Sequence, residues 1–169
     1  MSNYGKSLSK MLQTGKAQSL QASARKQFYY LQHEEDDFQF QMRVKDVEKF
    51  AVVVDYVSVA KKDPILDVEV INQKIARQAD AIQKNITFLL EEFKIIELDR
   101  QNKRAQLRSY PPHTDENSKY YYEIVLDEGT KAHFQRYEYS MAEKRYTKIT
   151  SQLTTETFER LIDGICDIL

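Results

Sequence analysis

Apolar and polar residues alternate strictly through Phe38, Phe40, Met42 and Val44, the period-two signature of a half-buried strand over 37–44. The stretch 27–32 (QFYYLQ) reads as a strand too, and His33-Glu34-Glu35-Asp36 connects the two. The period then lengthens. Val47, Phe50, Ala51, Val54 and Val57 fall at helical spacing over 46–61, with Pro64 as the stop. Val68, Ile71, Ile75 and Ala79 carry helical spacing through 67–78. Asp80 stands where it would cap a further helix over 81–94, with Ile82, Ile86, Leu89, Leu90 and Phe93 on one face. Ile95, Ile96 and Leu98 begin a strand, 104–110 is extended, and Pro111-Pro112 opens a polar loop. The stretches 119–126, 131–139 and 144–150 read as strands. The first two are joined by a turn at Asp127-Glu128-Gly129, in which glycine supplies the positive φ. Thr154 or Thr155 caps a last helix whose stripe is Phe158, Leu161, Ile162, Ile165 and Leu169.

The skeleton Ile75, Ala79, Ile86, Leu90, Phe93, Ile95 and Ile96, within IARQADAIQKNITFLLEEFKIIELDRQNKRAQLRSY, resembles the winged helix-turn-helix family. With the helix expected at 46–61, the resemblance extends over residues 46–126. In that family a support helix precedes a recognition helix, and a short strand and a basic hairpin wing follow. The resemblance implies that Ile86, Leu90 and Phe93 form the inner face of the recognition helix, and that 119–126 is the return strand of the wing. It also implies contact with double-stranded DNA. Gln83, Lys84, Asn85 and Thr87 would face the major groove, where amides and lysine read base edges. Arg100, Lys103, Arg104 and Arg108 would supply phosphate contacts from the wing.

Composition narrows the class. At 169 residues, 41% hydrophobic and 30% charged, the chain has room for one compact domain, and only four Gly and three Pro interrupt regular structure. The net charge of −1 conceals an asymmetry. Residues 1–33 hold Lys6, Lys10, Lys16, Arg25 and Lys26 and no acid, so the remainder is acidic. A basic tail over 1–24 on an acidic body points to an anionic partner or an acidic groove. Leu8, Met11 and Leu12 could form one helical turn on that tail, so Lys6, Leu8, Lys10, Met11, Leu12 and Lys16 are the expected partner-docking residues. The single cysteine, Cys166, makes a reducing compartment and a cytoplasmic location the expectation. No run approaches 18 apolar residues, so no membrane partner is expected.

Enzyme chemistry finds little to work with. His33, His113 and His133 share no metal-binding spacing, one cysteine cannot build a thiolate cage, and no glycine-rich phosphate loop occurs. The run Glu34-Glu35-Asp36-Asp37 reads as a solvated loop, Cys166 as a packing residue, and Tyr120-Tyr121-Tyr122 as strand residues that could also stack on bases. The sequence therefore predicts an α+β, winged helix-turn-helix protein: a basic tail over 1–24, a β lead-in and winged-helix domain over 25–126, and a β-meander with a C-terminal amphipathic helix over 127–169. The expected role is a non-catalytic DNA-associated regulator or accessory subunit, such as one serving an SMC-type ATPase assembly. A scaffold that docks proteins without nucleic acid is the alternative. No cofactor, metal or small-molecule substrate is expected; a larger protein partner or a second copy is.

Overall fold

The computed structural model describes residues 3–15 and 28–169. Helix α1 (Tyr4–Gln13) leads into three antiparallel strands, β1 (Tyr29–Glu35), β2 (Phe38–Val47) and β3 (Ala51–Lys61). Helix α2 (Val68–Asn85) follows. Then come β4 (Glu92–Asp99), β5 (Arg104–Tyr110), β6 (His113–Thr114), β7 (Ser118–Asp127), β8 (Lys131–Ser140), β9 (Arg145–Ile149) and β10 (Ser151–Thr154), before helix α3 (Thr155–Ile168) closes the chain. The ten strands of the described residues join one antiparallel sheet whose main path runs β1-β2-β3-β8-β7-β5-β4, with β6 paired to β7 off that path. β8 pairs with β3 as far as Gln135 and with β9 from Arg136 onward, while the far end of β3 pairs with β10. The sheet thus forks, and β9–β10 fills the fork.

This architecture is not a winged helix, and two local readings explain the difference. Residues 51–61 are a strand, not a helix. Along it Val52 and Val54 face the core, Asp55 is skipped where the register with β2 shifts, and Val57 and Val59 face the core again. The bulge moves the phase by one residue and leaves Val54 and Val57 three apart, which imitates helical spacing. The β-branched content favours the strand. The second correction concerns 81–94. α2 runs unbroken through Asp80, because Ala79, Ile82 and Ile86 continue the buried stripe of Ile71 and Ile75 and no glycine or proline interrupts it. Asp67 is its N-cap, accepting from the backbone N–H of Glu69 (2.9 Å) and Val70 (3.2 Å). The helix ends at Asn85, the chain turns through Leu90 with a φ of 66°, and Phe93 already lies in a strand. No separate recognition helix forms, and β4–β5 is a sheet hairpin.

The helices cover one face of the sheet. α2 lies over β4, β5 and β7, and α3 over β3 and β10. Between them they bury Phe40, Met42, Val57, Phe93, Leu107, Ile124, Phe134 and the α3 stripe of Phe158, Leu161, Ile162 and Ile165. Thr154 caps α3 by accepting from the Thr157 N–H (3.1 Å). The turn expected at 127–129 is present, with Glu128 and Gly129 both at positive φ, so the expected domain boundary at 126–127 falls inside the β7–β8 hairpin. α1 packs on α3, and the contact is close. Gly5 sits against the backbone of Glu159, and its N–H donates to Asp163 Oδ1 (2.8 Å). Leu8 and Leu12, expected to await a partner, are buried in the chain's own core. Lys6 and Lys10 are exposed, Met11 is half-buried, and Lys16 lies outside the described residues.

Candidate functional site

The residues nominated for DNA do not converge. Gln83, Lys84, Asn85 and Thr87 sit at the C-terminal end of α2 and just beyond it, with Lys84 paired to Asp80 (2.9 Å). Arg100 pairs with Glu69 (3.6 Å) and its carbonyl accepts from Asn72 Nδ2 (3.1 Å), both near the opposite end of the same helix. At 1.5 Å per residue the two groups are roughly 24 Å apart. Lys103, in the β4–β5 turn, pairs with Glu128 (3.4 Å). Arg104 and Arg108 lie on β5 with side chains on the face of the sheet away from the helices, since Ala105 and Leu107 between them are buried beneath α2.

That helix-free face carries a different constellation. Strand alternation and register align Tyr30, Arg43, Tyr56, Gln135, Glu123, Arg108 and Lys94 as cross-strand neighbours on seven consecutive strands. At about 4.8 Å per strand the row spans roughly 29 Å. Two carboxylates anchor it. Asp55, buried at the β3 bulge, accepts from Arg43 Nε (2.7 Å) and lies 3.3 Å from Lys148 Nζ. Glu123, buried on β7, accepts from Gln106 Nε2 (2.8 Å), Arg108 Nε (3.3 Å) and Gln135 Nε2 (3.5 Å). Each carboxylate satisfies the donors that a half-buried guanidinium or amide must place.

Tyrosines stand over these pairs. Tyr56 stacks on His133 with ring centroids 5.3 Å apart and takes Arg43 and Lys148 over its ring at 5.3 and 4.7 Å. Tyr139 and Tyr146 pack at 4.7 Å, Tyr121 lies 6.4 Å from Tyr146, and Arg108 lies over both Tyr146 (4.9 Å) and Tyr121 (5.8 Å). Gln135 also donates to the Tyr137 hydroxyl. Burial pushes the Tyr56 phenol up to about 12, and burial likewise raises Tyr121 and Tyr137, so these hydroxyls remain neutral. Burial also holds His133 below its ordinary value, against the Gln135 hydrogen bond. A shallow hollow of about 270 Å³ lies beside the row, lined by Glu97, Asp99, Arg104, Gln106 and Glu123.

Arg108 is the one nominated residue at the centre of this face, and Tyr121 was singled out only as a strand residue that could stack on bases; Tyr56, Tyr137, Tyr139, Tyr146, Arg43, Asp55, Glu123 and Lys148 went unnoticed in the sequence. Part of the signal was present. His133, Gln135, Tyr137 and Tyr139 alternate with buried or helix-side residues along a recognisable strand. Reading 46–61 as a helix removed Tyr56 and Asp55 from any such face. No protein-family model, curated protein or solved structure matches the chain. Among the described residues no helix is long and apolar enough to cross a membrane, and no group of three His, Cys, Asp or Glu is arranged to hold a metal ion.

Proposed function

We propose that this chain is a recognition module of a larger protein assembly, docking a partner protein on the helix-free face of its sheet. The observation that carries the reading is the Tyr–Arg surface centred on Arg43, Tyr56, Arg108, Tyr121, Tyr139 and Tyr146, held in place by Asp55 and Glu123. Tyrosine and arginine are the residues on which binding energy concentrates at protein interfaces, because each offers a large flat apolar area with polar tips. Fixing the arginines in advance through buried carboxylates lowers the ordering cost of association.

Charge favours a protein over nucleic acid. Arg43 and Lys148 share Asp55, and Arg108 is paired with Glu123, so the centre of the face offers little uncompensated positive charge. Phosphate backbones are gripped mainly by uncompensated cations. The proposal assigns the chain recognition and no chemistry of its own.

The test is affinity capture from the native cell under nuclease treatment, comparing the wild-type chain with Tyr139→Ala/Tyr146→Ala, both checked for native melting. A specific protein retained by the wild type, lost by the double variant, and then bound directly in a purified titration is the expected result. A parallel titration with labelled duplex and single-stranded DNA at about 50 mM salt tests the rival. Binding there that weakens steeply with salt would replace this reading with a nucleic-acid one.

A further inference from the structure

Strand β4 ends the sheet, and its outer edge has no strand partner among the described residues. At the other end of the sheet, β1 and its turn are tied to α1: Tyr4 donates to Asp36 (2.7 Å) and Ser7 to Glu35 (3.2 Å). β4 is different in composition as well as position. Ile95, Ile96 and Leu98 are 36%, 54% and 47% exposed on consecutive or near-consecutive positions, in a sequence that reads Glu92-Phe93-Lys94-Ile95-Ile96-Glu97-Leu98-Asp99. A row of unpaired N–H and C=O groups beside exposed isoleucine and leucine is a template for another strand.

We propose that β4 is the homodimerisation edge, pairing antiparallel with β4 of a second copy so that two sheets become one. The strand's own charge pattern identifies the occupant. Phe93, Ile95 and Leu98 share the helix-side face through their pairing with Ser109, Leu107 and Ala105, while Lys94, Glu97 and Asp99 pair with Arg108, Gln106 and Arg104 on the other face. The register skips Ile96. Of the antiparallel registers that keep like faces together, two set Lys94 against a carboxylate of the second copy. In one, Lys94 opposes Glu97 of the second copy and Phe93 opposes its Leu98. In the other, Lys94 opposes Asp99 and Ile95 opposes Leu98. Both place the strand's one cation against a carboxylate, and two-fold symmetry makes that pair twice. The strand is thus complementary to itself in charge and in apolar pattern.

The experiment is sedimentation velocity and light scattering on the full-length chain across concentration, with a charge-exchange pair. Wild type is expected to dimerise within the range up to about 100 µM. Lys94→Glu sets acid against acid in either register and is expected to weaken the dimer roughly tenfold to a hundredfold. Glu97→Lys/Asp99→Asn removes the opposing acids, with asparagine keeping the acceptor for the Asn102 N–H, and is also expected to shift toward monomer. Mixing the two variants restores opposite charges across the edge, and heterodimers are expected to return to within a few-fold of wild-type affinity. Both variants are checked for wild-type melting. A wild-type chain that stays monomeric, a dimer indifferent to Lys94→Glu, or variants that do not recover on mixing would overturn the proposal.

Discussion

Gly5→Ala is the substitution whose sign is most informative. In an exposed helix, replacing glycine by alanine stabilises by about 1 kcal/mol. Here a Cβ at position 5 would sit 2.2 Å from the Glu159 carbonyl oxygen and 2.6 Å from its Cα, both backbone atoms of α3 that cannot swing aside. Either α1 lifts off α3 or the two helices separate by the missing distance. Lifting off exposes Leu8 and Leu12 and breaks the hydrogen bonds from the Gly5 N–H to Asp163 and from Ser9 Oγ to Glu159 (2.6 Å). The two leucines alone set a ceiling of about 3–6 kcal/mol. Partial separation falls in the overpacking range of about 1–3 kcal/mol. Less the propensity gain, the net loss is up to about 2 kcal/mol for separation and about 2–5 kcal/mol for lifting off, each kcal/mol lowering Tm by roughly 2–4 °C for a chain of this size. Thermal melting and amide hydrogen exchange along residues 4–13 measure both parts, with exposed Lys10→Ala as the control. A Gly5→Ala protein that melts at or above the wild-type temperature, with exchange in α1 unchanged, would refute the docked arrangement.

Four further outcomes follow from other parts of the fold. Leu161→Ala, at a fully buried position of α3, is expected to cost about 2–5 kcal/mol in chemical denaturation, and a cost under about 1 kcal/mol would mean that α3 does not seal the core. Asp55→Ala leaves Arg43 and Lys148 without their carboxylate; discounting for their partial exposure, a loss of about 1–2 kcal/mol that shrinks at high salt is expected, and salt-independence would contradict the ion-pair account. His133 is held below the ordinary value of 6.5 by burial, so the unfolded chain takes up its proton first. Its contribution to stability is complete above about pH 6.5 and is lost as pH falls toward the lower folded value; His133→Gln should therefore show a smaller fall in Tm between about pH 7 and 5.5, and parallel curves would exclude the assignment. Burial pushes the Cys166 thiol up, so a thiol reagent should react with the native protein far more slowly than with the denatured one, as followed by absorbance at neutral pH.

Much of the sheet could be read from alternation, because Phe38, Phe40, Met42 and Val44 of β2, Tyr122, Ile124 and Leu126 of β7, and Ala132 and Phe134 of β8 fall at period two on the helix side. β3 could not, since the skipped Asp55 converts two period-two runs into spacing that looks helical. The Asp80 cap misled for a related reason: aspartate within a helix is locally compatible with a start, and only the packing of Ile82 and Ile86 under the sheet decides that α2 continues. The tail was half legible. Leu8, Met11 and Leu12 marked a helical turn, but their partner is α3, some 150 residues distant in sequence, and nothing local announces that Gly5 must meet Glu159. The candidate face was hidden because its meaning lies in cross-strand neighbours: Tyr56, Gln135, Glu123 and Arg108 are consecutive in space and scattered along the chain.

The fork between β3 and β8 bears on how the molecule can be made. Synthesis delivers β3 and β8 before β9 and β10, yet the stretches 52–54, paired on one side with β2, and 136–140, paired on one side with β7, find their second ladder partners only in residues 145–154. Until those residues leave the ribosome, a growing chain holds two open ladder edges beside Val52 and Val54, and the α3 stripe that covers them comes later still. Such a nascent chain has every strand of its main path and still cannot close. Exposed edges beside apolar surface are what chaperones retain and proteases clear. A chain truncated after Ser140 would therefore yield no shortened working domain, only a species held at quality control, and residues 141–169 decide whether anything upstream of them survives.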